Sequence, residues 1–237
     1  DLVNALEGAG TFDHAVDSSH MLQCFGFVTW ALPMVVLEDS SIHSYEDLAG
    51  KRVGLSPVGS STADVLNLVF EAYGLSDSIT VENFTWSEGY TALKDGRIDA
   101  MVGSWANGDP ISGLIELKAT QGIRILNMDE AIAKKVADSN EGVGTGTLTF
   151  ENEDTILAPA NSGVIIADAS VDEESIYQYT KAVLEHLDDL KALSVYFNDF
   201  ETVCTSVCVE SLPFHPGAAK ALREAGLWED RFTVYEG

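Results

Sequence analysis

An α/β fold with mainly parallel sheets flanked by helices is predicted by three features of the sequence. Strand-like and helix-like segments alternate from residue 51 to residue 126, and Gly74 and Gly96 stand where helices should stop. Alternation at this spacing implies crossover helices, which bring successive strands in parallel and cover the sheet on both faces. The third feature is chemical: two of the loops that follow strands, 56–61 and 103–108, are rich in small polar residues. In such folds ligands gather at the carboxyl ends of strands.

Taken in order, residues 1–20 read as the end of a helix, a turn at Gly8 to Gly10 and a polar loop. His14 and His20 lie there beside Asp13 and Asp17, without the spacing that converges metal ligands. Residues 21–37 are rich in β-formers and read as one or two strands, with Trp30 either in the core or facing a cleft. A buried strand at 52–55 leads through the turn 56–61 into a helix. In that helix Val65, Val69, Ala72 and Tyr73 recur at i, i+4, i+7 and i+8, one apolar stripe against a sheet. Gly74 fits the left-handed position that ends many helices.

The turn 56–61 admits two readings. A strand feeding a helix through small hydroxyl residues leaves backbone N–H groups aimed outward at the positive end of the helix dipole, a place for an anion. Alternatively Ser61 caps the helix, with Asp64 completing an S-x-x-D capping box. Ser60, Thr62 and the turn amides are free in either case. Asp64 argues against phosphate, and no Lys follows as a phosphate loop requires.

A second unit follows, with a strand at 80–84, a helix at 87–95 and a strand at 98–102. The loop 103–108 contributes Ser104 and the flat ring of Trp105. A third helix is expected from Asp109 as N-cap and Pro110 as first helical residue to residue 120, then a strand at 123–126. A short helix is expected at 129–138. The Gly/Thr/Glu-rich segment 139–154 reads as a lid or crossing segment. Strands at 155–157 and 163–167 precede a long helix at 172–193, whose start Asp172-Glu173-Glu174 complements the dipole. The remainder reads as helical, interrupted at Pro213 and Pro216.

Composition narrows the function. With 38 acidic against 13 basic residues the net charge is -25, a field that repels nucleic acid and anionic membrane surfaces. The acids are spread along the chain as a solvated shell, which a halophilic or marine source would explain. No apolar run reaches the length of a membrane span. The chain starts Asp1-Leu2-Val3-Asn4 with no basic region, as a processed exported protein would. Cys24, Cys204 and Cys208 form no zinc pattern, and the last two read equally as a pair or as free thiols. No motif calls for a cofactor or a metal.

Three passages carry a resemblance. LKDGRIDAMV at 93–102 resembles the helix, Gly stop and strand of the second lobe of type II periplasmic binding proteins. VDEESIYQYTKAVLEHLDDL at 171–190 and LPFHPGAAKALREAGLW at 212–228 resemble the C-terminal part of one branch, the TAXI solute receptors of tripartite ATP-independent periplasmic (TRAP) transporters. DLAGKRVGLSPVGSST at 47–62 is similar to the Gly-Ser-Gly-Thr loop of that family, with Ser61 in place of its second Gly.

The resemblance implies a two-lobe receptor that closes over a small carboxylate, acidic amino acids such as glutamate and their amides among them, and presents it to TRAP membrane permease subunits in the periplasm or another extracytoplasmic space. The first lobe would comprise residues 1–46 and 159–237, lacking its N-terminal βα units, and the second 47–158. Crossings would fall at 40–47 and 154–160. Ser60, Ser61 and Thr62 would hold the carboxylate, Ser104 and Trp105 would line the same wall, and Trp30 the opposite one. His215 would be structural. An enzyme or a sensor domain on the same scaffold is the alternative, but the five histidines are scattered and no Ser/His/Asp order or carboxylate pair appears.

Overall fold

A computed structural model describes residues 2–10, 12–139, 143–150 and 154–237. The elements run α1 (Leu2–Glu7), β1 (Met21–Ala31), β2 (Met34–Leu37), β3 (Arg52–Leu55), α2 (Ser61–Tyr73), β4 (Thr80–Asn83), α3 (Trp86–Lys94) and β5 (Ala100–Val102). They continue with β6 (Trp105–Ala106), β7 (Asp109–Pro110), α4 (Ser112–Gln121), β8 (Ile123–Ile125), α5 (Glu130–Ser139), β9 (Gly144–Phe150) and β10 (Asp154–Asp168). Helices α6 (Glu173–Glu185), α7 (Leu187–Leu193), α8 (Phe200–Ser206) and α9 (Pro216–Glu224) complete the chain. The class is α/β with two five-stranded sheets, ordered β4-β3-β5-β2-β8 and β7-β6-β1-β10-β9.

Parallel pairing is narrower than expected. Strand β3 runs parallel to β4 and β5, while β2 is antiparallel to both β5 and β8. The reason is connectivity: β2 follows β1 after only Leu32 and Pro33 and enters the sheet without a crossover helix. In the second sheet the pairs β1–β6, β6–β7 and β9–β10 are antiparallel.

The chain divides into two units, residues 30–161 and residues 2–29 with 162–237. The segment 30–46, expected with the first lobe, falls in the first of these because β2 is an interior strand of its sheet. The passages from one unit to the other lie at 29/30 and 161/162, within β1 and β10 rather than in loops.

In the unit 30–161, the buried faces of β2, β3 and β5 meet Val65, Leu66, Val69 and Phe70 of α2 and Leu93 of α3 in one core. Gly74 adopts φ 73° and closes α2, its N–H donating to carbonyls of the last turn. Two expectations change here. Asp109 and Pro110 are not a helix start but the second arm of a hairpin, with Trp105 opposite Pro110 and Ala106 opposite Asp109. Its two-residue turn has Asn107 at φ 49° and Gly108 at φ 89°, the conformation that Asn-Gly favours in tight hairpins. Helix α4 therefore begins at Ser112 after Ile111, which makes no side-chain cap. The expected lid also contains strand: β9 pairs antiparallel with 154–160 of β10, although 140–142 and 151–153 lie outside the described residues.

In the other unit, α9 packs on α6. The His-Pro-Gly-Ala start of α9 explains itself residue by residue. His215, 2% exposed, accepts from the Gly217 N–H through Nδ1 at 3.2 Å and donates from Nε2 to the Val171 carbonyl at 2.9 Å. These partners suit the tautomer with its proton on Nε2. Pro216 takes the first helical position, where no N–H is needed. Gly217 and Ala218 keep the two helix backbones close. The expected single helix at 172–193 is broken at His186 (φ -115°, ψ 22°), and Asp188 and Asp189 occupy the first turn of α7. Gln23, fully buried in β1, accepts from the Val209 N–H at 3.0 Å and donates to the carbonyls of Val209 at 2.7 Å and of Leu212. Cys24, Cys204 and Cys208 are free and buried.

Candidate functional site

Strands β4, β3 and β5 are parallel neighbours, so the residues after their carboxyl ends share one edge of the sheet. These are Asn83 at the end of β4, the turn 56–60 after β3, and Gly103 and Ser104 after β5. Asn83 Nδ2 donates to the Ser56 carbonyl at 2.6 Å and so ties the end of β4 to the start of the turn.

The hydroxyls of the turn divide by function. Ser60, not Ser61, is the N-cap of α2: its Oγ accepts from the Ala63 N–H at 3.3 Å and lies 2.6 Å from the Oγ of buried Ser56. The S-x-x-D box does not form, since the cap stands one residue earlier and Asp64 becomes a first-turn acid. Ser61 Oγ accepts from Asn161 Nδ2 at 3.1 Å. The Thr62 hydroxyl, and the N–H groups of Ser61 and Thr62, have no partner among the described residues. Val58, at the tip of the turn, is 84% exposed.

No Lys or Arg occurs in the loops 56–62, 83–88 and 103–112 at this edge. Backbone dipoles at the start of α2 contribute positive potential there, against the Asp64 carboxylate in the first turn. Arg52, at the opposite end of β3, is bound to Asp99 at 2.7 Å, and its guanidinium holds the Asp99 carboxyl below the usual range.

Ser104 is 2% exposed, and its carbonyl accepts from the Ile111 N–H at 3.1 Å. Trp105 is 1% exposed. Its ring covers Gly103, where an added Cβ would stand 2.8 Å from the ring and 2.7 Å from Val35. Trp105 therefore braces the edge from within the core. Trp30 lies opposite Ala106 in β1 and packs, half-buried, on the core of the same unit, 30–161, not of the other. The structure thus has Ser60, Ser61, Thr62 and Ser104 along one edge, and packs both tryptophan rings on the core of the same unit. Asn161, Asn83 and Ser56 are additions; Asn161 is 100 positions from Ser61, beyond any local sequence pattern. Among the described residues no group of three or more His, Cys, Asp or Glu is placed to hold a metal, and no helix is long and apolar enough to cross a membrane.

Residues 2–226 match the NMT1-like family. The chain belongs to that family. Among solved structures, this NMT1-like chain is similar to a putative L-cystine ABC transporter from Listeria monocytogenes, at 16% identity over 73% of this chain and 59% of that one, with a TM-score of 0.42. It is also similar to the periplasmic aliphatic sulphonate binding protein of Escherichia coli, at 14% identity, 76% and 48% coverage and a TM-score of 0.38. A third is an arginine transport system periplasmic binding protein from Legionella pneumophila, at 15% identity, 78% and 68% coverage and a TM-score of 0.40. The NMT1-like chain covers 59% of the first of these proteins and 48% of the second.

Proposed function

We propose that the chain is a solute-binding receptor that captures a small carboxylate, acidic amino acids and their amides foremost, outside the cytoplasm and delivers it to a TRAP-type membrane permease. The observation that carries the reading is the start of α2, where the N–H groups of Ser61 and Thr62 have no protein acceptor among the described residues and no cationic side chain lies in the three adjoining loops. A carboxylate bound there is held by charge-assisted hydrogen bonds from amides and hydroxyls, without an ion pair. Thr62 adds a hydroxyl and Ser104 supports the edge, with Trp105 and Trp30 as its apolar backing. The TRAP partner rests on the resemblance carried by residues 171–190 and 212–228. Binding without turnover is expected, so a captured compound should be recovered unchanged.

The test is a thermal-shift panel of acidic amino acids, their amides, keto acids and sugars. A compound at a hundred times its dissociation constant stabilises by about 2.7 kcal/mol, an easily read shift. A shift confined to carboxylates supports the reading. An unchanged melting temperature with every carboxylate, or a shift confined to sugars, defeats it.

A further inference from the structure

Asn161 holds the Ser61 hydroxyl through an amide whose other end gains nothing. Its Nδ2 donates to Ser61 Oγ at 3.1 Å, while its Oδ1 is buried and has no hydrogen-bond partner among the described residues. Buried carbonyl oxygens are satisfied in the great majority of cases, so an orphan acceptor beside a candidate ligand loop calls for an explanation. For packing alone an apolar side chain would serve better, because it would leave no desolvated acceptor behind.

The explanation lies in what an amide donor does to a hydroxyl. A serine hydroxyl carries one O–H donor and two acceptor lone pairs. When Ser61 Oγ accepts from Asn161, its own proton must point elsewhere. Among the described residues no acceptor takes that proton, and the adjoining N–H groups of Ser61 and Thr62 are themselves donors. The hydroxyl thus joins them as a further donor.

We infer that Asn161 is a positioning residue that orients Ser61 to donate its hydroxyl proton to a solute carboxylate, making the site selective for acceptor groups over ammonium or guanidinium groups. This rests on the solute-binding reading above and deepens it by fixing the polarity of the site. The partner of Ser61 decides that polarity: an acceptor at position 161 would draw the proton inward and leave Ser61 facing the solute with lone pairs only.

The experiment uses the full chain as wild type and as Asn161→Leu, Asn161→Ala and Asn161→Asp. Each is titrated calorimetrically with L-glutamate, L-glutamine, pyruvate and succinate, and the melting temperature is taken without solute. Asn161→Leu and Asn161→Ala should weaken the best-bound carboxylate by about ten- to a hundredfold, the scale of a lost hydrogen bond to a charged group. Their solute-free melting temperature should stay level or rise, because the orphan acceptor is gone. Asn161→Asp, which can only accept when ionised, should abolish binding. A purely structural Asn161 would show the opposite pattern, a lower melting temperature with unchanged affinity, and that result overturns the inference. Full binding by Asn161→Asp overturns it too, because it would mean that the wild-type amide already accepts from Ser61. If the wild type binds none of the four probes, the solute-binding reading falls and the inference with it. If the wild type binds and all variants match it, only the inference falls.

Discussion

A Cβ on Gly217 would stand 2.6 Å from the backbone nitrogen of Tyr177, well inside van der Waals contact, and closer still to the carbonyl oxygen of Glu173. Helices α6 and α9 therefore meet backbone to backbone at this point, and no flexible side chain is available to yield. Gly217→Ala is expected to destabilise the protein by about 3 kcal/mol, the upper range for overpacking, although alanine is the better helix former. Urea unfolding measures it. A neutral or stabilising effect would mean that α9 shifts along α6 without loss, and that the close approach carries no stability.

In the unit 30–161, local signals made only part of the fold legible in the sequence. Strand β3, the turn and α2 follow directly from local signals: an apolar stripe, a run of hydroxyls and a glycine that takes φ 73°. Which of Ser60 and Ser61 caps the helix could not be read, because adjacent hydroxyls satisfy the same local pattern and the choice depends on buried Ser56, 2.6 Å from Ser60. The hairpin at 105–110 was signalled by Asn107-Gly108, but Asp109-Pro110 imitates a helix start equally well. Strand β9 was hidden by its glycines, and it forms because β10 supplies a partner along its whole length. The Asn161–Ser61 bond is tertiary and left no trace in the sequence.

Burial decides the chemistry of the cysteines. It pushes the thiols of Cys24 and Cys208 up to about 12 and that of Cys204 up to about 11. An unfolded cysteine ionises near pH ~8.5, so the folded state favours the protonated thiols more strongly than the unfolded state does. Their contribution to stability is complete below pH ~8.5 and is lost as pH rises toward the folded values, at up to about 1.4 kcal/mol per pH unit for each thiol. Native protein at pH 8 should therefore resist an aromatic disulfide reagent and release all three thiols only on unfolding. Tyr73, raised to about 12 by burial, loses stability in the same alkaline range, so Cys24→Ala should make that limb shallower without removing it. Rapid modification of the native protein would show that the core around β1 and α8 opens readily.

Charge sets the solution conditions in which the fold is stable. Basic residues such as Lys134, Lys191 and Arg231 are paired with Asp138, Glu201 and Glu210, and with 38 acids against 13 bases the carboxylates far outnumber the cations that could offset them. Raising KCl from about 0.1 M to about 1 M shortens the screening length from about 10 Å to about 3 Å, which weakens repulsion between exposed acids more than it weakens contact pairs. The melting temperature should rise across that range. A flat or falling profile would show that the acidic shell does not limit stability.

Ser60 and Thr62 are two residues apart, yet the structure gives them different work. Ser60 closes the start of α2, so Ser60→Ala should cost about 1 kcal/mol, lower the melting temperature and leave Ser56 without its hydroxyl partner. The Thr62 hydroxyl has no partner among the described residues, so Thr62→Ala should change stability by less than about 0.5 kcal/mol. If the carboxylate lies at the N–H groups of Ser61 and Thr62, the order reverses in binding: Thr62→Ala should weaken glutamate or its nearest bound analogue about tenfold, the scale of one hydrogen bond to a charged group. Ser60→Ala should bind nearly as the wild type once the folded fraction is accounted for. Calorimetric titration beside thermal melting separates the two effects. Parallel losses of stability and affinity in both variants would mean that the start of α2 is only a capped helix, and that the solute is held elsewhere.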